Sequence, residues 1–463
     1  MASTTTALPP AQLPPPQPPS AQQHGHVAPV ARRMGWLAPR RGSGTPRLLS
    51  LAMVTLVLAS IGWGVIGAWT AGQHASAAAD VVHVSEPLSF EAQRLYQSMS
   101  DADVTATTAF LSGPQESLAM RQHYEAAIAA AGAYLSDLTA AAPPGDIELR
   151  SSLAAVATGL PVYTGYVKQA QSDYVLGYQL TGGSFMQVAS EQMHLTLLPA
   201  ARTIYARTNA SLAARSAQAT GAPWVAITLL LSAALWIVLY RSQRWLSRRT
   251  QRTFNLGLLA ASIALTVTAI WLAVAFTVTR SDLGSAEQHG SAPAQALAQA
   301  TIAVQRARGD EILNLISRSG STSFQGDFAA AQRLAGPGAG SLLTAASAAS
   351  QDNSAAGSIA AAEADARSWY VTGTQVFGFD VAANYAAETS LVIGAGPGGA
   401  AAGFTRLEDH LAAAIAADQA VFRSDAAAGA NALSGLEAAF IIAGVVMVAA
   451  SVWGLSQRLS EYR

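Results

Sequence analysis

The sequence predicts an all-α membrane protein made of two similar halves. Four apolar runs are long enough to cross a bilayer as helices. The segments between the first and second runs, and between the third and fourth, have apolar residues at helical spacing. The composition agrees, with 51% hydrophobic and 12% charged residues. Cysteine is absent, so disulfides and thiolate sites are excluded.

Residues 1–47 are rich in proline and contain five arginines and no acidic residue. Such a composition cannot bury a core, so we expect a disordered cytoplasmic tail. A docking segment for a partner that recognises proline-rich motifs is the alternative.

The predicted membrane spans are residues 48–69, 223–240, 254–278 and 438–455. The first contains Ser60, Gly64 and Ala68 at small-xxx-small spacing, on which another helix could pack closely. A cleaved secretory signal is the alternative for this run. The long proline-rich segment before it favours an uncleaved anchor.

The orientation follows from an arginine cluster in the short loop 241–253, which holds no acidic residue. Basic flanks mark the cytoplasmic side of a membrane protein. The loop, the first 47 residues and the tail 456–463 are therefore expected inside the cell, at the plasma membrane. The cluster either anchors the spans by charge or also docks a partner, and it consists of Arg241, Arg244, Arg248, Arg249 and Arg252.

Residues 70–222 are expected outside the cell as a four-helix bundle. One seam runs from Leu88 to Ala109 at spacings of four and three, and a second runs from Leu149 to Gly177 with Pro161 inside it. A turn is predicted at Thr181–Ser184, followed by the last helix of the bundle.

Residues 279–437 are expected to form a second, duplicated extracytoplasmic bundle. An offset of 207 pairs Asp103 with Asp310 and Tyr163 with Tyr370, and in the last helix the offset becomes 217. The extra residues coincide with the glycine-rich stretch 394–403.

Candidate motifs carry little chemistry. Gly394, Gly396 and Gly399 fit a GxGxxG pattern, but helices rather than a parallel sheet are predicted around it, so we interpret it as a turn. The tripeptide Arg308-Gly309-Asp310 lies within a predicted helix. The histidines are scattered. No catalytic, cofactor or metal site and no nucleic-acid partner is predicted.

Charged residues on the predicted bundle helices are mostly explained by a solvated face with local pairs. Some are candidates for contacts with a partner protein, namely Asp103, Arg121, Asp310 and Glu311.

Two spans that enclose a four-helix bundle resemble the sensing half of bacterial chemoreceptors and histidine kinases. A second resemblance rests on residues of both halves. Those of the first half are Phe110, Leu111, Ser112, Gly113, Arg121 and Tyr124. Those of the second are Ala307, Arg308, Gly309, Asp310, Glu311, Leu315, Ile316, Ser317, Arg318, Phe324, Asp327 and Phe328. On these residues, nearly all of the chain after residue 47 is similar to a family of actinobacterial four-span proteins. These are associated with glutamate and aspartate sensing, beside an amino-acid-binding lipoprotein and a soluble serine/threonine kinase.

The resemblance implies signal transfer from an extracytoplasmic binding protein to a cytoplasmic kinase. We therefore expect a non-enzymatic transmembrane relay without a cofactor, able to form homo-oligomers. A cell-envelope scaffold and a transporter component are the alternatives. The spans contain no ionisable group at their centres, which argues against transport.

Overall fold

The computed structural model describes residues 45–113, 118–250, 255–317, 322–350, 354–382, 384–394, 396 and 398–460. The chain divides into two units, Met1–Leu48 and Leu49–Arg463, and the following account concerns the second. The tail predicted at residues 1–47 lies almost entirely outside the described residues, which contain helices and no strand. The protein is an all-α membrane protein, because four of its helical runs are long and apolar enough to cross a bilayer.

In the described residues, the first half has seven α-helices and the second has eight. The first half comprises α1 (Thr45–Asp80), α2 (Glu86–Ser112), α3 (Leu118–Ala141), α4 (Ile147–Val175), α5 (Gln179–Gln192), α6 (Leu198–Thr220) and α7 (Pro223–Thr250). The second half comprises α8 (Leu256–Ala286), α9 (Ala292–Ser317), α10 (Thr322–Ala335), α11 (Leu342–Ala349), α12 (Ala356–Val381), α13 (Tyr385–Val392), α14 (Ala400–Ala432) and α15 (Leu436–Ser460).

Three single turns of π-helix interrupt otherwise continuous helices, at Val81–Ser85, Met193–Leu197 and Glu287–Ser291. In each, the N–H that follows the segment donates to the carbonyl five residues before it. A proline stands two residues after each segment. Proline lacks an N–H and its ring clashes with the carbonyl four residues earlier, and an inserted residue relieves that clash.

Two of these π segments occupy equivalent places in the two halves. The first joins α1 to α2 and the third joins α8 to α9. Both contain the pattern His-x-Ser-x-Pro, at residues 83–87 and 289–293. The shared pattern at the same structural place supports the duplication predicted from the sequence.

The core of the first bundle confirms the predicted seams of α2 and α4. Leu95 and Met99 of α2 and Val156 and Tyr163 of α4 are completely buried. The turn, however, falls at Gly177 and not at Thr181–Ser184, which lies within α5. Gly177 has φ +88°, a backbone conformation that glycine adopts without steric cost.

The second bundle departs from a simple copy of the first. Residues 336–341 break the counterpart of α3 into α10 and α11. The uniform offset of 207 is also wrong for the core face of α9. Ala300 and Val304 are completely buried there, 205 residues after Leu95 and Met99. Ile302, which the offset of 207 pairs with Leu95, instead packs against the first bundle. Compared with α2, α9 therefore turns a different face toward the core of its own bundle, because it also packs against the other bundle.

The membrane helices α1, α7, α8 and α15 pack closely through small residues. A Cβ added at Gly64 of α1 would lie 3.4 Å from the Cα of Gly444 in α15, which confirms the predicted small-residue stripe as a helix contact. Neutral polar side chains add bonds between helices. Trp63 Nε1 donates to Ser232 Oγ at 2.7 Å, and Asn255 Nδ2 donates to the Gly454 carbonyl at 2.8 Å.

The connections between spans and bundles are of two kinds. α1 and α8 continue through π segments into α2 and α9, whereas α6 and α7 are separated at Gly221 and Ala222. α14 and α15 are separated at 433–435, where Gly435 has φ +76°. Among the described residues, the spans in α1 and α8 are therefore continuous with bundle helices, whereas α7 and α15 are separated from theirs by short breaks.

The loop predicted at 241–253 is helical for most of its length, since α7 extends to Thr250. Arginine, glutamine and leucine are good helix formers, and the sequence has no helix breaker there. Arg241 and Arg244 are exposed on this helix. Arg248 and Arg249 belong to it as well, and Arg252 lies outside the described residues.

Candidate functional site: the contact between the two bundles

The two bundles share an apolar contact centred on α2 and α9. Val104 of α2 is 7% exposed and belongs to the core of the second bundle, against which Leu111 also packs. In return, Ile302 and Ile316 of α9 pack against the core of the first bundle. Separating the bundles would expose these side chains to water, so the contact is stabilised by apolar burial.

Asp103 is the centre of a buried polar cluster within this contact. It lies on α2 and is 2% exposed. Its Oδ2 accepts a hydrogen bond from Ser190 Oγ of α5 at 2.8 Å, and His194 Nε2 of the second π segment lies 3.2 Å from the same oxygen. Burial of a carboxylate is costly unless it is paired, and these two side chains provide the pairing.

Two tyrosines line the same carboxylate. Tyr163 of α4 is completely buried, and its pKa is raised well above the usual value by burial and then by the charge of Asp103. The pKa of Tyr124 on α3 is raised by the same two causes. Both hydroxyls therefore stay protonated, and α3, α4 and α5 each bring a side chain close to Asp103 of α2.

The second bundle meets this cluster through Gly309 and Asp310 of α9. A Cβ at Gly309 would lie 3.6 Å from His194 Nε2. Burial raises the pKa of Asp310 to about 6, against the opposing effect of Arg306. Burial also disfavours charged His194, but its pKa is raised because it is bonded to Asp103 and lies near Asp310. His194 is therefore placed between acidic groups of the two bundles.

A second polar cluster lies on the same contact. Nε2 of His123 on α3 is 2.9 Å from Oδ2 of Asp101 on α2. On the second bundle's side of the contact, Gln305 Nε2 of α9 donates to Glu408 Oε1 of α14 at 2.8 Å. Burial, and then the charge of Asp101, raises the pKa of Glu408 to about 8. The pKa of His123 is raised by its bond to Asp101, with burial opposing it and Glu408 adding to it.

Glu311 lies inside the second bundle rather than at the contact. It pairs with Arg308, which is 1% exposed and also donates from Nη2 to the Val392 carbonyl at 2.9 Å. Burial raises the pKa of Glu388, on α13 beside them, to about 7, with Asp380 and Glu311 adding to the rise. The tripeptide at 308–310 is thus helical, as predicted. It is also buried, so it cannot serve as an exposed adhesion motif.

The four residues predicted to contact a partner protein lie in three different places in the structure. Asp103 and Asp310 meet at the contact between the bundles, and Glu311 is completely buried in the second bundle. Arg121 is exposed near the start of α3. Sequence reasoning missed Ser190 and His194. The only available signal was their spacing of four residues, which places both on one face of a helix.

The glycine-rich stretch at 394–399 joins α13 to α14. Helices flank it on both sides, so it lacks the strand that a dinucleotide fingerprint requires. Among the described residues, no group of three or more histidine, aspartate and glutamate side chains is arranged to hold a metal ion.

Together, the fold and the contact define a multi-pass membrane protein with two joined helical bundles. In a comparison with known families, residues 77–217 match the model described as an actinobacterial sensor domain. This range runs from the last four residues of α1 through the first bundle and ends within α6. No curated protein and no solved structure matches the chain. The family match supports a sensor role in signalling.

Proposed function

We propose that the protein is a non-enzymatic transmembrane relay that passes a signal of amino-acid availability from an extracytoplasmic binding protein to a cytoplasmic kinase. The observation that carries this proposal is the contact between the bundles, because it joins helices that lead directly to different membrane spans. α2 continues α1 and α9 continues α8, each through a π segment. A change in how α2 packs on α9 would therefore act on both spans.

The buried polar clusters give this contact a limited set of arrangements. His194 lies 3.2 Å from Asp103, and the charge of Asp310 on the second bundle also acts on it. A buried charge that loses its partner is strongly destabilising, so few arrangements of this contact are stable. Packed interfaces with such groups change between discrete arrangements rather than deforming continuously. This behaviour suits a switch.

We assign the two partners to opposite ends of the molecule. Arg121 is exposed on the first bundle and remains our candidate contact for a binding protein. Arg241 and Arg244 are exposed on α7 beyond the second span, and they form our candidate docking surface for a kinase. Arg248, Arg249 and Arg252 extend that basic stretch along the sequence. This assignment places both termini in the cytoplasm.

Engineered cysteines can test the relay directly, because the chain has no cysteine of its own. Asn209 of α6 and Gln295 of α9 are bonded across the bundles at 3.0 Å. A variant with cysteine at both positions, cross-linked in membranes by a short reagent with two thiol-reactive methanethiosulfonate ends, should hold the contact in one arrangement. We expect the phosphorylation of the kinase's substrates to stop responding to amino acids.

The matched control places cysteines at Asp365 and His410, whose side chains are 2.7 Å apart within the second bundle. Cross-linking there should leave the response intact. An unchanged response in the first variant, with complete cross-linking, would refute the relay. A normal response combined with altered wall morphology in a deletion strain would favour the scaffold alternative.

A further inference from the structure

The two halves of the protein enclose an open cleft beside their contact. α6 forms one wall, and α9 together with α10 forms the other. Its volume is about 760 Å³, within the range of small-molecule sites, roughly 300 to 1,000 Å³. Alanines supply much of both walls, so the cleft has room for a ligand along its length.

The charge of the cleft is positive. Arg202 of the first half and Arg306 of the second line it, and the only carboxylate among its described lining residues is Asp327. Asp327 Oδ2 is 4.0 Å from Arg306 Nη2, a weak exposed pair. No described carboxylate lies within ion-pair distance of Arg202. One guanidinium is therefore uncompensated in a partly enclosed space, which attracts anions.

The two arginines act on one buried tyrosine. Tyr96 of α2 is 5% exposed, and its hydroxyl lies close to Arg202. Burial raises the pKa of Tyr96, while the positive charges of Arg202 and Arg306 oppose this rise. Both cations are therefore close to the same hydroxyl. Tyr96 fixes Arg202 at the end of the cleft.

We propose that this cleft binds a small organic anion whose carboxylate groups are held by Arg202 and Arg306. Guanidinium groups pair with carboxylates through two parallel hydrogen bonds. Tyr205, Asn209 and Gln299 add polar groups for orientation, and the alanines leave space for the ligand's carbon skeleton.

Such a ligand would join the two halves of the protein. It touches Arg202 from the first half and Arg306 from the second, so it binds best when these walls are close. Differential affinity of this kind shifts the balance between arrangements of the bundles. The inference extends the proposed relay by giving it a ligand of its own, in addition to any binding protein.

Binding can be measured without any signalling partner, on the full chain in nanodiscs by calorimetry. The probes are succinate, propionate and inorganic phosphate. Succinamide is the control, because it has the carbon skeleton of succinate but no charge. We expect succinate to bind more tightly than propionate, and succinamide not to bind. Arg202→Gln and Arg306→Gln should each weaken succinate binding by at least tenfold, whereas Arg367→Gln, an exposed arginine on α12, should not.

Because the three arginines are exposed, the variants should keep the melting temperature of the parent protein. Absence of binding by succinate and propionate, or binding unaffected by either cleft variant, would overturn the site. Tighter binding of phosphate than of succinate would also overturn it as a carboxylate site. Calorimetry uses the chain that keeps Asn209 and has no engineered cysteine, and it needs no signalling readout, so the ligand site and the relay can fail separately.

Discussion

Replacement of Asp103 by alanine is the sharpest test of the contact between the bundles. The substitution removes the oxygen that accepts from Ser190 at 2.8 Å and that lies 3.2 Å from His194 Nε2. Both partner groups stay in place with no other acceptor described for them at this position. The buried Ser190 hydroxyl is then unsatisfied, and the partly buried imidazole of His194 loses its counter-charge.

The size of the effect follows from burial. Asp103 is 2% exposed, so water cannot replace its interactions. Breaking a buried charged pair by removing one partner costs about 3 to 5 kcal/mol. For helical domains of this size, that corresponds to a fall in melting temperature of roughly 10 °C.

The effect should also depend on pH. The pKa of His194 in the folded protein is raised, so the stabilisation from its pair with Asp103 is fully present below the usual histidine value, about 6.5. It is lost as the pH rises through the raised folded value. Asp103→Ala should therefore cost more at pH 6 than at pH 9.

Intrinsic tryptophan fluorescence of the protein in nanodiscs can follow this unfolding. Asp327→Ala is the matched control, because its side chain is 51% exposed and its ion pair is weak, worth about 0 to 1 kcal/mol. A fall in melting temperature no larger than that of the control would refute the role of Asp103. An equal cost at both pH values would refute the charged pair with His194.

Three further substitutions test other parts of the structure. Gly67→Ala in the first span should disrupt packing in the membrane, since its Cβ would overlap the ring of Phe440 in the fourth span. Gly62→Ala is the control, because a Cβ there meets open space. Thermal melts should show a lower melting temperature for the first variant only. The pKa of Glu408 is raised to about 8, so the folded protein holds this proton more tightly than the unfolded chain. The folded protein therefore loses stability as the pH rises from the usual glutamate pKa through 8. Glu408→Gln should therefore reduce the decline of melting temperature over that range, and an unchanged decline would contradict it. Arg308→Met alone should destabilise by about 3 to 5 kcal/mol in chemical denaturation, and adding Glu311→Leu should restore much of this loss; no restoration would show that the buried pair is not the cause.

The membrane helices and the bundle seams could be predicted because they depend on local properties. Hydropathy over one helix length identifies a span, and spacings of three and four identify the buried face of α2 or α4. The three π segments could also be anticipated in part. Each lies just before a proline, such as Pro87 or Pro199, in an otherwise continuous helical pattern.

The rotation of α9 could not be predicted from its own pattern. Alanine dominates this helix, so several of its faces are equally able to pack. Only the presence of α2 decides that Ile302 turns toward the first bundle while Ala300 and Val304 face the second. The break of the α3 counterpart at residues 336–341 affects the same bundle and follows from its glycines and proline.

The sequence by itself determined four spans, helical segments between them and a basic cluster after the second span, since each is a property of consecutive residues. Only the tertiary structure decided that Asp103, His194 and Asp310 meet, and that Arg202 and Arg306 face one cleft. These residues are far apart in the chain. Their meeting depends on which helix faces pack together, and that choice is made by the shape of two complete cores rather than by any local pattern.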